Sequence, residues 1–170
     1  MLVLCELCPG GFTLVDMLQT CKLKIYEHVI LSIMLDICLG VQHMHSKGIS
    51  HRDLKVENIL LKHQKFKVAD FGSAEIQSNF LRWKEIEKME QPDKNKFVYQ
   101  QYEIFDKNTT LMYRPPEMHD RYLKYDVDFK ADMWMLGCIL YVLCFAKHPF
   151  QDAQTLAIIN GQYFMPKIEE

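Results

Sequence analysis

Residues 50–61 read SHRDLKVENILL, from Ser50 to Leu61. His51, Arg52, Asp53, Lys55 and Asn58 stand close together, and the chain then turns apolar. Downstream, ILL (59–61) and FKV (66–68) flank KHQK, a pattern that predicts a tight β-hairpin. In an antiparallel hairpin, residues just before the first strand and just after the second emerge at the same open end. The hairpin therefore brings Asn58 and Asp70 together, with Asp53 a few residues further back.

Two carboxylates and one amide oxygen at one edge form a hard-oxygen constellation, suited to Mg²⁺ and a phosphate. Upstream, Thr13 followed by Asp16 predicts a capped helix start running on through Val15 and Leu18. From about Tyr26, Ile30, Ile33, Met34, Ile37, Val41 and Met44 recur at helical spacing, and Gly48 is a good stop. Residues 2–5 read as the end of a buried strand broken by CPGG. Residues 73–108 are polar and weakly periodic: a short helix is expected before Pro92 and a long mobile loop over the rest. ADMWMLGCILYVLCFA (131–146) is apolar on nearly every face, which predicts a central helix buried on all sides.

The chain has 170 residues, 49% hydrophobic and 25% charged, enough for one domain or one large piece of a domain. A net charge of -2 gives no bulk attraction for nucleic acid or membrane, and neither is expected as a partner. The longest apolar run, around Met133 to Ala146, is too short and too closely flanked by charge for a membrane span. Five of the six cysteines lie in or beside apolar runs, which fits buried free thiols in a reducing compartment, and a cytoplasmic location is expected. Cys5 and Cys8 have CxxC spacing, but no second CxxC or paired His follows, so no zinc site is expected. His43 and His45 are read as helix-face residues.

HRDLKVEN, followed by DFG (70–72) and PPE (115–117), resembles the catalytic core of a eukaryotic protein kinase. Asp132, Trp134 and Gly137 add a DxWxxG-type helix, and the resemblance covers essentially the whole chain. Val56 within DLKVEN, DFGSA, TTLMYRPPEM and ADMWMLGCILYVLCFAKHPF together resemble the Numb-associated, actin-regulating Ser/Thr kinases. The resemblance implies an α+β fold, mainly helical: a kinase-like C-lobe with a β-hairpin at the catalytic cleft and the N-lobe missing. It divides the chain into the last N-lobe strand and hinge (1–11) and an incomplete C-lobe (12–170), with the activation segment at 70–117.

The same resemblance implies roles. Asp53 would orient or accept the proton of the substrate hydroxyl, and Lys55 would neutralise charge on the transferring phosphate. Asn58 and Asp70 would hold Mg²⁺, and Thr110 would brace Asp53 and Lys55. ATP would lie over Leu60, with Ala69 beside it. Cys5 would be the gatekeeper, and Glu6 and Cys8 would offer hinge backbone groups. His51 and Asp132 look structural. Arg52 would meet a phosphate on the activation segment or simply hold an acidic side chain. The substrate would be a protein Ser or Thr, and endocytic adaptor or actin-regulating proteins are partners by resemblance alone.

No GxGxxG stretch and no VAIK-like lysine occurs among these residues. The expected consequence is loss of a lysine–phosphate contact of roughly 1.5–3 kcal/mol. Glu117 would also lack the arginine partner usual in the family. The expected function is protein Ser/Thr kinase, weak or inactive as these residues alone. The competing reading is a non-catalytic, kinase-like interaction or scaffold module.

Overall fold

The computed structural model describes residues 11–20, 25–151 and 155–167. The expected strand at 2–5 and the hinge positions Cys5, Glu6 and Cys8 lie outside the described residues.

Helix α1 (Leu14–Thr20) starts on a reciprocal cap. Asp16 accepts from the Thr13 amide and hydroxyl, both at 2.7 Å, and the Thr13 hydroxyl accepts from the Asp16 amide at 3.1 Å. Helix α2 (Glu27–Ser46) turns Ile30, Ile33, Ile37, Val41 and Met44 inward at helical spacing. Its end is set by Gly48, which sits at φ +73, a conformation only glycine adopts cheaply. By length and composition α2 could cross a bilayer. Here its apolar face packs on the rest of the fold.

Strand β1 (Ile49–Ser50) leads into the polar loop. Strands β2 (Ile59–Lys62) and β3 (Lys65–Val68) then form the hairpin, with Ile59 opposite Val68 and Lys62 opposite Lys65. Its two-residue turn, His63–Gln64, has φ of 48 and 61, the geometry that matches strand twist. The hairpin lies on α2. A Cβ at Gly40 would stand 3.3 Å from Val68 Cγ2, so a larger residue there would push β3 away. Asp36 of α2 completes the joint by accepting from the Phe66 amide at 3.1 Å and pairing with Lys65 at 3.0 Å.

The segment after the hairpin departs from the expected long loop. Strand β4 (Glu75–Ile76) pairs antiparallel with β1, Ser50 facing Glu75. A short helix α3 (Trp83–Ile86) precedes Pro92, as expected. Residues Asp93–Asn108, however, form a sixteen-residue helix, α4, not a loop. Its apolar stripe is only three residues deep, Val98, Tyr102 and Phe105, too thin to stand out among polar neighbours.

Helix α5 (Pro116–His119) begins on a proline, whose missing N–H costs nothing at that position. Helix α6 (Lys130–Phe145) runs through the core beside α2, and α7 (Thr155–Ile159) follows. The expectation that α6 is buried on all sides is corrected. Ala131, Asp132, Met135, Leu136, Cys138, Ile139, Val142 and Leu143 are buried, but Met133, Gly137, Leu140 and Cys144 form an exposed stripe. The buried-thiol expectation is corrected with it. Cys138 is buried, and burial pushes its thiol up to about 12, whereas Cys38 and Cys144 are exposed. An apolar sequence alone cannot say which side of a helix a neighbour covers.

Candidate active site

The polar loop after β1 is held from below by α6. Asp132, fully buried, accepts from the amides of His51 (2.9 Å) and Arg52 (2.8 Å), the Ser50 hydroxyl (3.0 Å) and His45 Nε2 (2.7 Å). Burial alone would push this carboxyl up. The hydrogen bonds from His45, Arg52, His51 and Ser50 together outweigh it and hold Asp132 below the ordinary aspartate range. His51, also fully buried, donates from Nε2 to the Ala69 carbonyl at 3.0 Å and accepts the Asp53 amide on Nδ1 at 3.3 Å. Those two partners set Nδ1 as acceptor and Nε2 as donor, and the bond to Ala69 ties the loop to the chain just past β3.

On this support stands the candidate chemistry. Asp53 Oδ1 accepts from the amide and the hydroxyl of Thr110, both at 2.8 Å. Asp53 Oδ2 lies 2.9 Å from Lys55 Nζ, and Lys55 Nζ donates to the Thr110 hydroxyl at 2.8 Å. Asp53, Lys55 and Thr110 thus close a triangle of charge-assisted bonds. Asn58 turns its amide nitrogen to Asp53, 2.9 Å from the carbonyl and 3.3 Å from Oδ2. That orientation leaves its oxygen edge for a cation.

Asp70 is exposed at the mouth of the hairpin, in a left-handed conformation (φ 61), and accepts from the Gly72 amide at 3.2 Å. The bond from the Ala69 amide to the Asn58 carbonyl (2.8 Å) clamps the two ends of the hairpin side by side, as the sequence predicts. Among the described residues no three His, Cys, Asp or Glu side chains gather into a closed metal cage. An amide oxygen with a single carboxylate nevertheless fits Mg²⁺, which keeps waters and takes the rest of its ligands from phosphates. Leu60 is half-buried on β2, under the chain at Phe12 and Thr13: the Leu61 amide donates to the Phe12 carbonyl at 2.8 Å.

Arg52 holds an acidic side chain in this structure, one of the two partners expected of it. Its guanidinium donates to the Ser73 carbonyl at 2.9 Å, lies 3.5 Å from Glu75 and stands 5.8 Å from the centre of the Phe105 ring. Ser73 in turn donates to the Asn108 carbonyl. Ser73, Glu75 and Asn108 are therefore tied to the loop through Arg52.

Several participants escaped the sequence reading. His45, read only as a helix-face residue, is a partner of Asp132. Glu75 carried no motif. Arg114 is buried, donates to the hydroxyl and carbonyl of Thr109 at 2.8 and 3.1 Å, and pairs with Asp106. It pins the end of α4 beside Thr110. Its place in RPPE was the one available signal. Tyr102 donates to the Glu117 carbonyl at 2.7 Å, joining α4 to α5. Glu117 itself has no ion-pair partner among the described residues, and burial pushes its carboxyl up.

Residues 1–169 match the family model described as the protein kinase domain. A probable serine/threonine-protein kinase of Dictyostelium discoideum is 41% identical over 174 residues, covering 98% of this chain and 14% of that relative. Actin-regulating kinase 1 of Saccharomyces cerevisiae is 36% identical over 170 residues, covering 96% of this chain and 24% of the relative. Actin-regulating kinase PRK1 of the same yeast is 36% identical over 174 residues, covering 99% and 20%. The chain thus spans about a quarter or less of the length of these curated relatives. It belongs to the protein kinase domain family, and its mainly helical fold with small antiparallel strand pairs is that of a kinase C-lobe.

Proposed function

We propose that these residues form the catalytic half of a protein Ser/Thr kinase, which transfers the γ-phosphate of ATP to a protein hydroxyl. The observation that carries the reading is the triangle of Asp53, Lys55 and Thr110. Asp53 is held in place by Thr110 and Asn58, so its carboxylate can meet a substrate hydroxyl without reorganising. It orients that hydroxyl and receives its proton. Lys55 offers a cation at the same point, where negative charge moves with the phosphoryl group. Asn58 and Asp70 would hold Mg²⁺, which when bound neutralises phosphate charge. Leu60 and Ala69 would floor the nucleotide site, with the hinge around Cys5, Glu6 and Cys8 along its edge. The domain division at 11/12 and the activation segment at 70–117 belong to the same proposal. So does a cytoplasmic setting.

By similarity to relatives named as actin-regulating kinases, actin-regulating or endocytic adaptor proteins are proposed substrates. These 170 residues alone are proposed to be a weak kinase, since they contain no GxGxxG stretch to cover the phosphates.

The test uses the polypeptide as the cell makes it, with labelled ATP and a Ser/Thr-rich acceptor protein. Asp53→Asn should lower the transfer rate about 100-fold or more, and Asp70→Asn should do the same with a raised Mg²⁺ requirement. Transfer that survives both substitutions would refute the assignment. Absent transfer together with stable capture of a partner protein would favour the scaffold reading.

A further inference from the structure

A groove of about 630 Å³ runs between the first half of α4 and the turn at 121–124. Lys94, Lys96 and Tyr99 line one wall, Arg121 and Lys124 the other, and Trp83 of α3 completes it. No carboxylate lines it, whereas the grooves on either side carry Glu117, Asp126 and Asp128, or Glu103 and Asp106. None of Lys94, Lys96, Arg121 and Lys124 forms an ion pair among the described residues. Arg121 leans instead on Tyr122, its guanidinium 5.3 Å from the ring centre. Trp83 is only 7% exposed, and its indole N–H meets no acceptor among the described residues. A buried donor left without an acceptor is costly and uncommon in a folded protein.

Four cations without ion-pair partners thus line one open cleft beside Trp83, Tyr99 and Tyr122, in a chain whose net charge is -2. Local charge of one sign in a concave surface focuses attraction for the opposite sign. We propose that this groove is a docking surface for an acidic segment of a protein partner. An extended segment suits it better than a free anion, because the cations stand on two different elements that wall a cleft of about 630 Å³. A long polyanion such as nucleic acid is disfavoured because both flanking grooves place carboxylates among their cations, Glu117, Asp126 and Asp128 on one side and Glu103 and Asp106 on the other. The groove lies twelve residues along α4 from Asn108, about 18 Å at the helical rise, so a segment bound there leaves Asp53 and Thr110 free. The inference stands on charge and placement and does not require the phosphotransfer reading.

The test is fluorescence anisotropy of the full chain with a short labelled peptide rich in Glu and Asp, beside its Gln/Asn counterpart. The acidic peptide should bind saturably and the neutral one weakly. Lys94→Glu combined with Lys96→Glu should weaken binding about tenfold or more, and Lys47→Glu, at the far end of α2, less than about twofold. Circular dichroism checks the fold of each variant. If the charge-reversed pair does not fold, Lys94→Gln with Lys96→Gln must still give a graded loss. The proposal is overturned by no binding or by equal binding of the neutral peptide. It is also overturned by an equal loss in Lys47→Glu, or by displacement of the peptide by low-millimolar inorganic phosphate or a single-stranded oligonucleotide.

Discussion

The loop at 50–58 and helix α4 meet where Arg52 lies over Phe105, and Thr110, just past the helix, touches Asp53; yet the two are held by opposite means. The loop has little regular structure, and its order comes from polar bonds: a single buried carboxylate, Asp132, gathers four donors under it. Helix α4 has complete backbone hydrogen bonding of its own but few ties to the body. It is anchored by Val98, Tyr102 and Phe105, the bond from Tyr102 to α5, and the pair Arg114–Asp106. A buried polar loop is specified residue by residue, because each unsatisfied group is expensive. An amphipathic helix needs only a stripe, and many sequences supply one.

Asp132→Ala tests the loop's side of this contrast most severely. It strands the amides of His51 and Arg52 in a dry site, and should cost about 3–5 kcal/mol in a urea titration. Asp132→Asn, which keeps the shape, should cost less. A loss under 1 kcal/mol for the alanine variant would mean the loop is held elsewhere.

Phe105→Ala is the equivalent blow to α4. It removes a ring that is 1% exposed and lies against Arg52, and about 3 kcal/mol is expected. Hydrogen exchange should rise along residues 93–108 and spread to the Thr110 amide, while α2 and α6 stay protected. Uniform loss of protection would show that the two regions are not separable.

Arg114→Ala should cost about 2 kcal/mol, since hydrogen bonds made by a charged donor are the stronger ones. Its effect should appear first at Thr109 and Thr110 by hydrogen exchange. Tyr102→Phe deletes only the hydroxyl donated to the Glu117 carbonyl, and about 1 kcal/mol should be lost.

The smallest effect concerns the two carboxyls themselves, and its sign differs between them. The Asp132 carboxyl is lowered in the fold, so its stabilisation is present above the ordinary aspartate range and is lost as pH falls through its folded value. The Glu117 carboxyl is raised by burial, so stability falls as pH rises from the ordinary glutamate range, about 4.3, through its folded value. Glu117→Gln should therefore stabilise the chain by about 1 kcal/mol or less at neutral pH, with no gain at pH 3. A gain that does not depend on pH would point to packing as its cause.

The same contrast explains what could be read beforehand. The hairpin, the Thr13–Asp16 cap, the 3.6-residue repeat of α2 and the closing of the hairpin ends at Asn58 and Ala69 were all legible. Each depends on neighbours within a few residues, or on the symmetry of a hairpin. Helix α4 was not legible, because its stripe of Val98, Tyr102 and Phe105 is thin and its flanks are polar. The partners Glu75, His45 and Arg114 were not legible as partners either. His45 and Asp132 stand 87 positions apart, and nothing local distinguishes a histidine that will meet a buried carboxylate from one that will face water.

The sequence by itself determined the elements built on short-range chemistry and brought forward Asp53, Lys55, Asn58, Asp70 and Thr110 as candidates for phosphate chemistry. Those residue types can orient a hydroxyl, carry positive charge to a phosphate and hold a hard cation. Only the tertiary structure decided which face of α6 is bare, that α4 exists as a helix against the body, that Arg52 is taken by Glu75, and that cations gather without acids beside Trp83. Those outcomes depend on which distant surfaces come together to exclude water, and a linear pattern does not encode that contact until the chain has folded.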